Sequence, residues 1–318
     1  MRVHLDTDFA GDTDDAAALA LLLGSDRAEI TGVTTVADPD GRRAGYVRRM
    51  LALTGQQHIP VAAGAGVSST TGREMGGLPD HGRYWGGEPA RPGPADEEGA
   101  VRLLAASVDA GAVVIGIGPY TNLASLEASR PGSLARTRVV LMGGWVRPPA
   151  PGLPPWGPDV DWNVQCDTDA ARRVFAGAAE GGLVLVTLGA TLEAHLRAGQ
   201  LGRLEDSGPL GRLLGRQARA HAADNGMTGM GRTHPGLPDD LLNFQYDPVA
   251  CAVALGYPVV TTAVLPLCPV VEEGVLRFEE DRDGKACEVV TAVDGPAFDE
   301  VWLAAVEAAD GRDQDASV

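Results

Sequence analysis

The sequence predicts an α/β protein: one doubly wound, mostly parallel sheet with helices on both faces and a small antiparallel hairpin near the C-terminus. Three observations predict it. Short β-branched runs recur along the chain and are apolar almost without interruption, the pattern of strands covered on both faces. Longer alanine- and leucine-rich stretches separate them, as in βαβ units with right-handed crossovers. After residue 264 this alternation stops.

Taken in order, the first strand is read at 3–6 and the first helix at 14–23, where Ala16 to Leu23 is wholly apolar yet far too short to span a bilayer. Strands follow at 30–36, 59–63, 113–117, 138–142 and 183–187, with helices at 41–53, 97–110, 121–128 and 167–176. The runs at 275–278 and 287–292 read as the hairpin, and a helix covers 296–308. The domain is therefore 1–308, with 309–318 a polar, frayed tail. Three stretches break the alternation. Residues 64–95 are rich in Gly and Pro and carry His81, Tyr84 and Trp85; 145–160 hold six prolines and two tryptophans; 222–243 are rich in Gly, His and Asp. In an open α/β sheet, loops leaving the carboxyl ends of strands build the binding crevice, and the first two stretches leave strands in that sense.

The chain has 318 residues, and 26 basic against 43 acidic side chains give a net charge of −17. That balance excludes polymeric nucleic acid and anionic membranes as main partners. Lys285 is the single lysine, which leaves Schiff-base or phosphate-gripping chemistry one poorly placed candidate. The opening residues, Met1-Arg2-Val3-His4-Leu5-Asp6, do not form a signal peptide. Cys166, Cys251, Cys268 and Cys287 lack CxxC spacing and read as free thiols of a cytoplasmic protein.

The strongest signal is His4-Leu5-Asp6-Thr7-Asp8-Phe9-Ala10-Gly11-Asp12-Thr13-Asp14-Asp15, with five carboxylates in ten residues at the end of a buried strand. Such a cluster repels itself unless a cation or shifted pKa values relieve it. Its donors are oxygens, which suit Ca²⁺ or Mg²⁺ better than Zn²⁺. Helix capping accounts for Asp12 or Thr13 but not for Asp6 and Asp8. An EF-hand loop begun at Asp6 fails at Ala10 and at Ala17, where the bidentate Glu belongs. A phosphatase with an Asp nucleophile is a rival that wants a downstream lysine.

The opening motif resembles that of the inosine-uridine-preferring nucleoside hydrolases, DxDPGxDDAxAL. Asp6-Thr7-Asp8 and Asp14-Asp15-Ala16-Ala17-Ala18-Leu19 match it, while Phe9 to Thr13 puts five residues where the family has three. Further segments fall in family order: Val61-Ala62-Ala63-Gly64, Asp80-His81-Gly82, Gly118-Pro119-Tyr120-Thr121-Asn122-Leu123-Ala124 for GPLTNLA, Leu141-Met142-Gly143-Gly144 with Asp161-Trp162-Asn163 for MGG…EFN, and Tyr246-Asp247-Pro248 for HDP.

The resemblance implies Ca²⁺-dependent hydrolysis of a ribonucleoside, or a modified one, to free base and ribose. It implies that Asp8, Asp15, Asp247 and the carbonyl of Thr121 bind one Ca²⁺, and that Asp14, Asp161 and Asn163 help hold the ribose. Water activated by Asp8 at the metal would attack the anomeric carbon through an oxocarbenium-like transition state, with inversion. A homo-oligomer, dimer or tetramer, is a further implication. The chain departs from the family where Tyr246 replaces a histidine that assists the leaving base. Tyrosine is the poorer acid, so help is expected from His81, from Tyr246 as a donor, or from stacking on Trp85, Trp145 or Trp156. Asp38, in place of the family's asparagine, and Trp85 near the base-side loop suggest a purine. The rivals are a Ca²⁺-dependent ribose- or nucleoside-binding protein of weak activity and, behind it, the DxD-type phosphatase.

Overall fold

The computed structural model describes residues 1–315, and the side chains of 1–311. In chain order the elements are β1 (Arg2–Thr7), α1 (Asp14–Gly24), β2 (Glu29–Thr35), α2 (Arg42–Leu53), β3 (Val61–Ala63), α3 (His81–Tyr84), α4 (Glu97–Asp109), β4 (Val113–Gly116), α5 (Thr121–Ser129) and β5 (Val139–Met142). Then come α6 (Trp162–Gln165), α7 (Thr168–Gly177), β6 (Leu183–Val186), α8 (Leu188–Thr191), β7 (His195–Arg197), α9 (Leu201–Ser207), α10 (Pro209–Asn225), α11 (Met227–Thr233) and β8 (Leu241–Phe244). The chain closes with α12 (Tyr246–Ala254), β9 (Val260–Glu272), β10 (Val275–Glu280), β11 (Lys285–Val293) and α13 (Gly295–Asp315).

The main sheet has nine strands in the order β10-β9-β11-β6-β5-β4-β1-β2-β3. From β11 to β3 every pairing is parallel. The chain winds outward from β1 to β3, then returns to β4 on the other side of β1. The loops after β1 and β4 therefore leave the sheet at its topological switch point, where α/β proteins place their crevice.

Alternate residues of the parallel strands feed two cores. Val140 and Val184 face the side covered by α1, α12 and α13, while Val139, Leu141 and Leu185 face α5 and α7. Every residue of α1 is buried, because the helix lies between the sheet, α12 and α13. At its C-terminal end Gly24 passes so close to Ala305 of α13 that a Cβ there would sit 1.7 Å from the Ala305 carbonyl oxygen.

Three expectations need revision. The runs near 275 and 287 do not pair with each other; both flank β9, and β11 also pairs in parallel with β6, so the antiparallel piece continues the main sheet. The stretch 222–243 is half helical, since α10 reaches Asn225 and α11 spans Met227–Thr233. Of the tail expected over 309–318, residues 309–315 continue α13, and 316–318 lie outside the described residues. Asp310 is buried and accepts bonds from Leu210 N (2.8 Å) and Gly211 N (2.9 Å), capping α10 from a distant part of the chain. Among the described residues no helix is long and apolar enough to cross a membrane. All four cysteines are free.

Candidate active site

Two helix starts converge at the switch point. Asp14 and Asp15 open α1, Asp247 lies in the first turn of α12, and the Asp247 amide donates to Asp14 Oδ2 at 3.4 Å. Asp14, Asp15 and Asp247 are buried and offer carboxylate oxygens within 4.8 Å of one another. The positive ends of both helix dipoles favour anions there. That does not suffice: burial and mutual repulsion push all three carboxyls well above the usual range. Asp8 is raised too, by burial, with Arg43 and an indole hydrogen bond opposing the rise.

These acids line a cavity of about 810 Å³. Asp161, Asn163, Tyr246, Ile117, Trp156 and Trp162 line it as well. Asp161 caps α6, accepts the amides of Gly144 (2.6 Å) and Val164 (3.2 Å), and is pushed up to about 6 by burial. Asn163 Nδ2 donates to the carbonyls of Ile117 (3.0 Å) and Met142 (3.1 Å). Trp162 Nε1 donates to Asp8 Oδ2 at 3.0 Å. Gly118 lets the turn after β4 pass Asp8: a Cβ there would stand 2.6 Å from the Asp8 nitrogen.

Four expected site residues lie elsewhere. Asp38 caps the start of α2, accepting from Thr35 Oγ1 (2.8 Å) and from the amides of Arg43 and Ala44 (both 2.9 Å). Trp85 is buried under the inserted loop, 4.5 Å from the Tyr46 ring and 5.9 Å from Phe9. His81 Nε2 lies 2.9 Å from the Gly87 carbonyl and Nδ1 lies 2.8 Å from the Tyr46 hydroxyl, so Nε2 donates, Nδ1 accepts, and no ring N–H is left over. Thr121 starts α5 and gives its hydroxyl to the buried Asp167 at 2.8 Å; the carbonyl-bearing residue of that turn that lines the cavity is Ile117. Lys285, the lysine a phosphatase would need, donates to the carbonyls of Phe175, Ala176 and Ala178 at the end of α7, outside the residues that line the cavity.

The structure adds residues that no sequence motif singled out. Arg43 is buried, and its guanidinium ties the carbonyls of Asp8, Phe9, Ala37 and Gly77 together. His221 of α10 reaches the cavity, with Nδ1 3.3 Å from Asp12. An arginine or histidine on a helix has no spacing signature, so only three-dimensional proximity reveals either.

Comparison with known proteins matches this chain to one family. The profile described as "Inosine-uridine preferring nucleoside hydrolase" aligns with residues 3–300. The chain belongs to that family. The pyrimidine-specific ribonucleoside hydrolase RihA of Salmonella paratyphi C is 33% identical over 204 residues, 61% of this chain and 63% of that protein. The chain thus aligns with less than two thirds of the length of the curated relatives it matches. Among nucleoside hydrolases of known structure, the purine-preferring ribonucleoside hydrolase from Gardnerella vaginalis superposes with a TM-score of 0.78 at 25% identity, covering 98% of this chain and 99% of that one. The inosine-uridine preferring enzyme of Bacillus anthracis gives 0.72 at 19% identity, covering 96% and 99%.

Proposed function

We propose that this nucleoside hydrolase family member cleaves the N-glycosidic bond of a ribonucleoside, purine-type in preference, to free base and ribose, with Ca²⁺ as its metal. The observation that carries the reading is the cluster of buried carboxylates at two helix starts on the floor of a cavity large enough for a nucleoside. The donor set fits a hard divalent ion, because every candidate atom is an oxygen and the acids repel one another without a cation. Asp8, Asp15 and Asp247 would hold it, with the Ile117 carbonyl a better-placed fourth oxygen than that of Thr121. When bound, the ion supplies the positive charge that keeps the carboxylates ionised and polarises oxygens brought to it.

The chain's own residues supply the remainder. Asp8 is the base that takes a proton from the attacking water, and Trp162 fixes its orientation by donating to Oδ2. Asp14 and Asn163 accept and position the ribose hydroxyls, and Asp161 holds the turn that carries Asn163. The carboxylates around the sugar stabilise the cationic character that develops at the anomeric carbon. Neither Asp38 nor Trp85 touches the cavity, so the purine preference rests on the indole of Trp156, which packs edge-on against Phe244 and offers the base a broad apolar wall.

The test is a reducing-sugar assay on inosine, adenosine, guanosine, uridine and cytidine, with and without chelator. Ribose release from the purine nucleosides that is lost in EDTA, restored by Ca²⁺ and abolished in Asp8→Ala is the expected result. Binding without release would establish the binding-protein rival; faster uridine or cytidine turnover would overturn the purine preference.

A further inference from the structure

We propose that His221, held by Asp12, is the acid that protonates the departing base, in place of the family histidine whose position Tyr246 occupies; the inference rests on the nucleoside-hydrolase reading above. Tyr246 is an unsuitable acid, because a phenol, with an ordinary pKa of ~10, gives up its proton poorly at neutral pH. His81 has both ring nitrogens engaged away from the cavity. His221 is the histidine that lines the cavity.

Its geometry suits the task. His221 is buried and lies on α10 near the end of the helix. Nδ1 lies 3.3 Å from Asp12 Oδ1 and 3.2 Å from Asn225 Nδ2. Nε2 has no hydrogen-bond partner among the described residues. Of the two groups beside Nδ1, the Asn225 amide can only donate and the Asp12 carboxylate can only accept, so a proton carried on Nδ1 turns to Asp12 and Nε2 is the nitrogen left to face a ligand. Asp12 is itself fixed, since Asn243 Nδ2 donates to the same Oδ1 at 2.9 Å. The other charged neighbour on the helix, Asp224, is already engaged by Arg83 and by the Tyr84 hydroxyl at 3.1 Å. Asp12 belongs to the five residues that replace the family's three-residue spacer. The same insertion that lengthens the opening loop therefore brings in the carboxylate that holds His221.

In the step itself the C1′–N bond breaks, its electron pair goes to the base, and the Nε2 proton moves to a ring nitrogen of the base. The water oxygen bonds to C1′ and its proton goes to Asp8. Asp8 then releases that proton and His221 regains one from solvent, so nucleoside plus water gives ribose plus base.

The experiment compares inosine with 4-nitrophenyl β-D-ribofuranoside, whose phenolate leaves without a proton, in wild type, His221→Asn, Asp12→Asn and Tyr246→Phe. The expected result for His221→Asn is a kcat on inosine about 100-fold lower with little change in KM, against a loss of only about 3-fold on the nitrophenyl riboside. Asp12→Asn is expected to show the same split in smaller measure, and Tyr246→Phe none. Equal losses on both substrates, no loss on inosine, or the split appearing in Tyr246→Phe would each overturn the assignment. A wild type that cleaves neither substrate overturns the parent function as well, whereas an active wild type with no split in His221→Asn overturns this inference alone. Melting temperatures of the variants, with and without Ca²⁺, separate misfolding from loss of the acid.

Discussion

At the scale of single residues, the site depends on groups that orient the acids as much as on the acids. Trp162 stands where the family motif has phenylalanine, and its indole N–H occupies one oxygen of Asp8. Phenylalanine would keep the ring but lose the donor. Trp162→Phe is therefore expected to lower kcat on inosine by about 10-fold through loss of one hydrogen bond to a charged group, with KM changed much less. Steady-state kinetics check this, and an unchanged kcat would mean that the bond does not orient the base. The acids were legible in the sequence because five carboxylates after a buried strand have no quiet structural explanation. The residues around them were not. Arg43 and His221 sit in ordinary helical stretches, and Trp85 reads as a base clamp until its packing against Phe9 and Tyr46 is seen.

At the scale of elements, helix termini organise the molecule. α1 and α12 present their first turns to the cavity, and α10 presents His221 from near its last. Asp310 ties α10 to α13, its two oxygens capping the first amides of α10. Asp310→Ala is expected to cost about 1–2 kcal/mol in urea denaturation, and truncation after residue 309 a similar amount; a truncated chain of unchanged stability would mean that the tail is dispensable. The sequence located the parallel strands through their unbroken apolar runs. It hid β9 because Pro266 and Pro269 interrupt the run, and proline ordinarily argues against a strand inside a sheet. It also hid the burial of Ala309 and Asp310, in a stretch whose polar composition reads as solvation.

At the scale of the whole molecule, the buried acids couple stability to pH and metal together. Burial raises Asp161 to about 6 and Asp6 to about 7, and lifts Asp14, Asp15 and Asp247 as well. A carboxyl whose pKa is higher folded than unfolded binds more protons in the folded state, so stability falls as pH rises from the unfolded value toward the folded one. The EDTA-treated protein should therefore melt at progressively lower temperature between pH 4 and pH 7 or above, and Ca²⁺ should oppose the fall by binding only the folded state. Thermal scans across that range check it; a metal-free melting temperature that rises with pH would contradict the charge arrangement.

The contact of Gly24 with Ala305 extends the reach of this coupling. α1 is a rigid rod about 16 Å long, with Asp14 and Asp15 at one tip and that contact at the other. Any side chain at position 24 must push the rod and α13 apart. Backbone fit at one end of this helix thus bears on where the acids of the proposed metal site stand at the other.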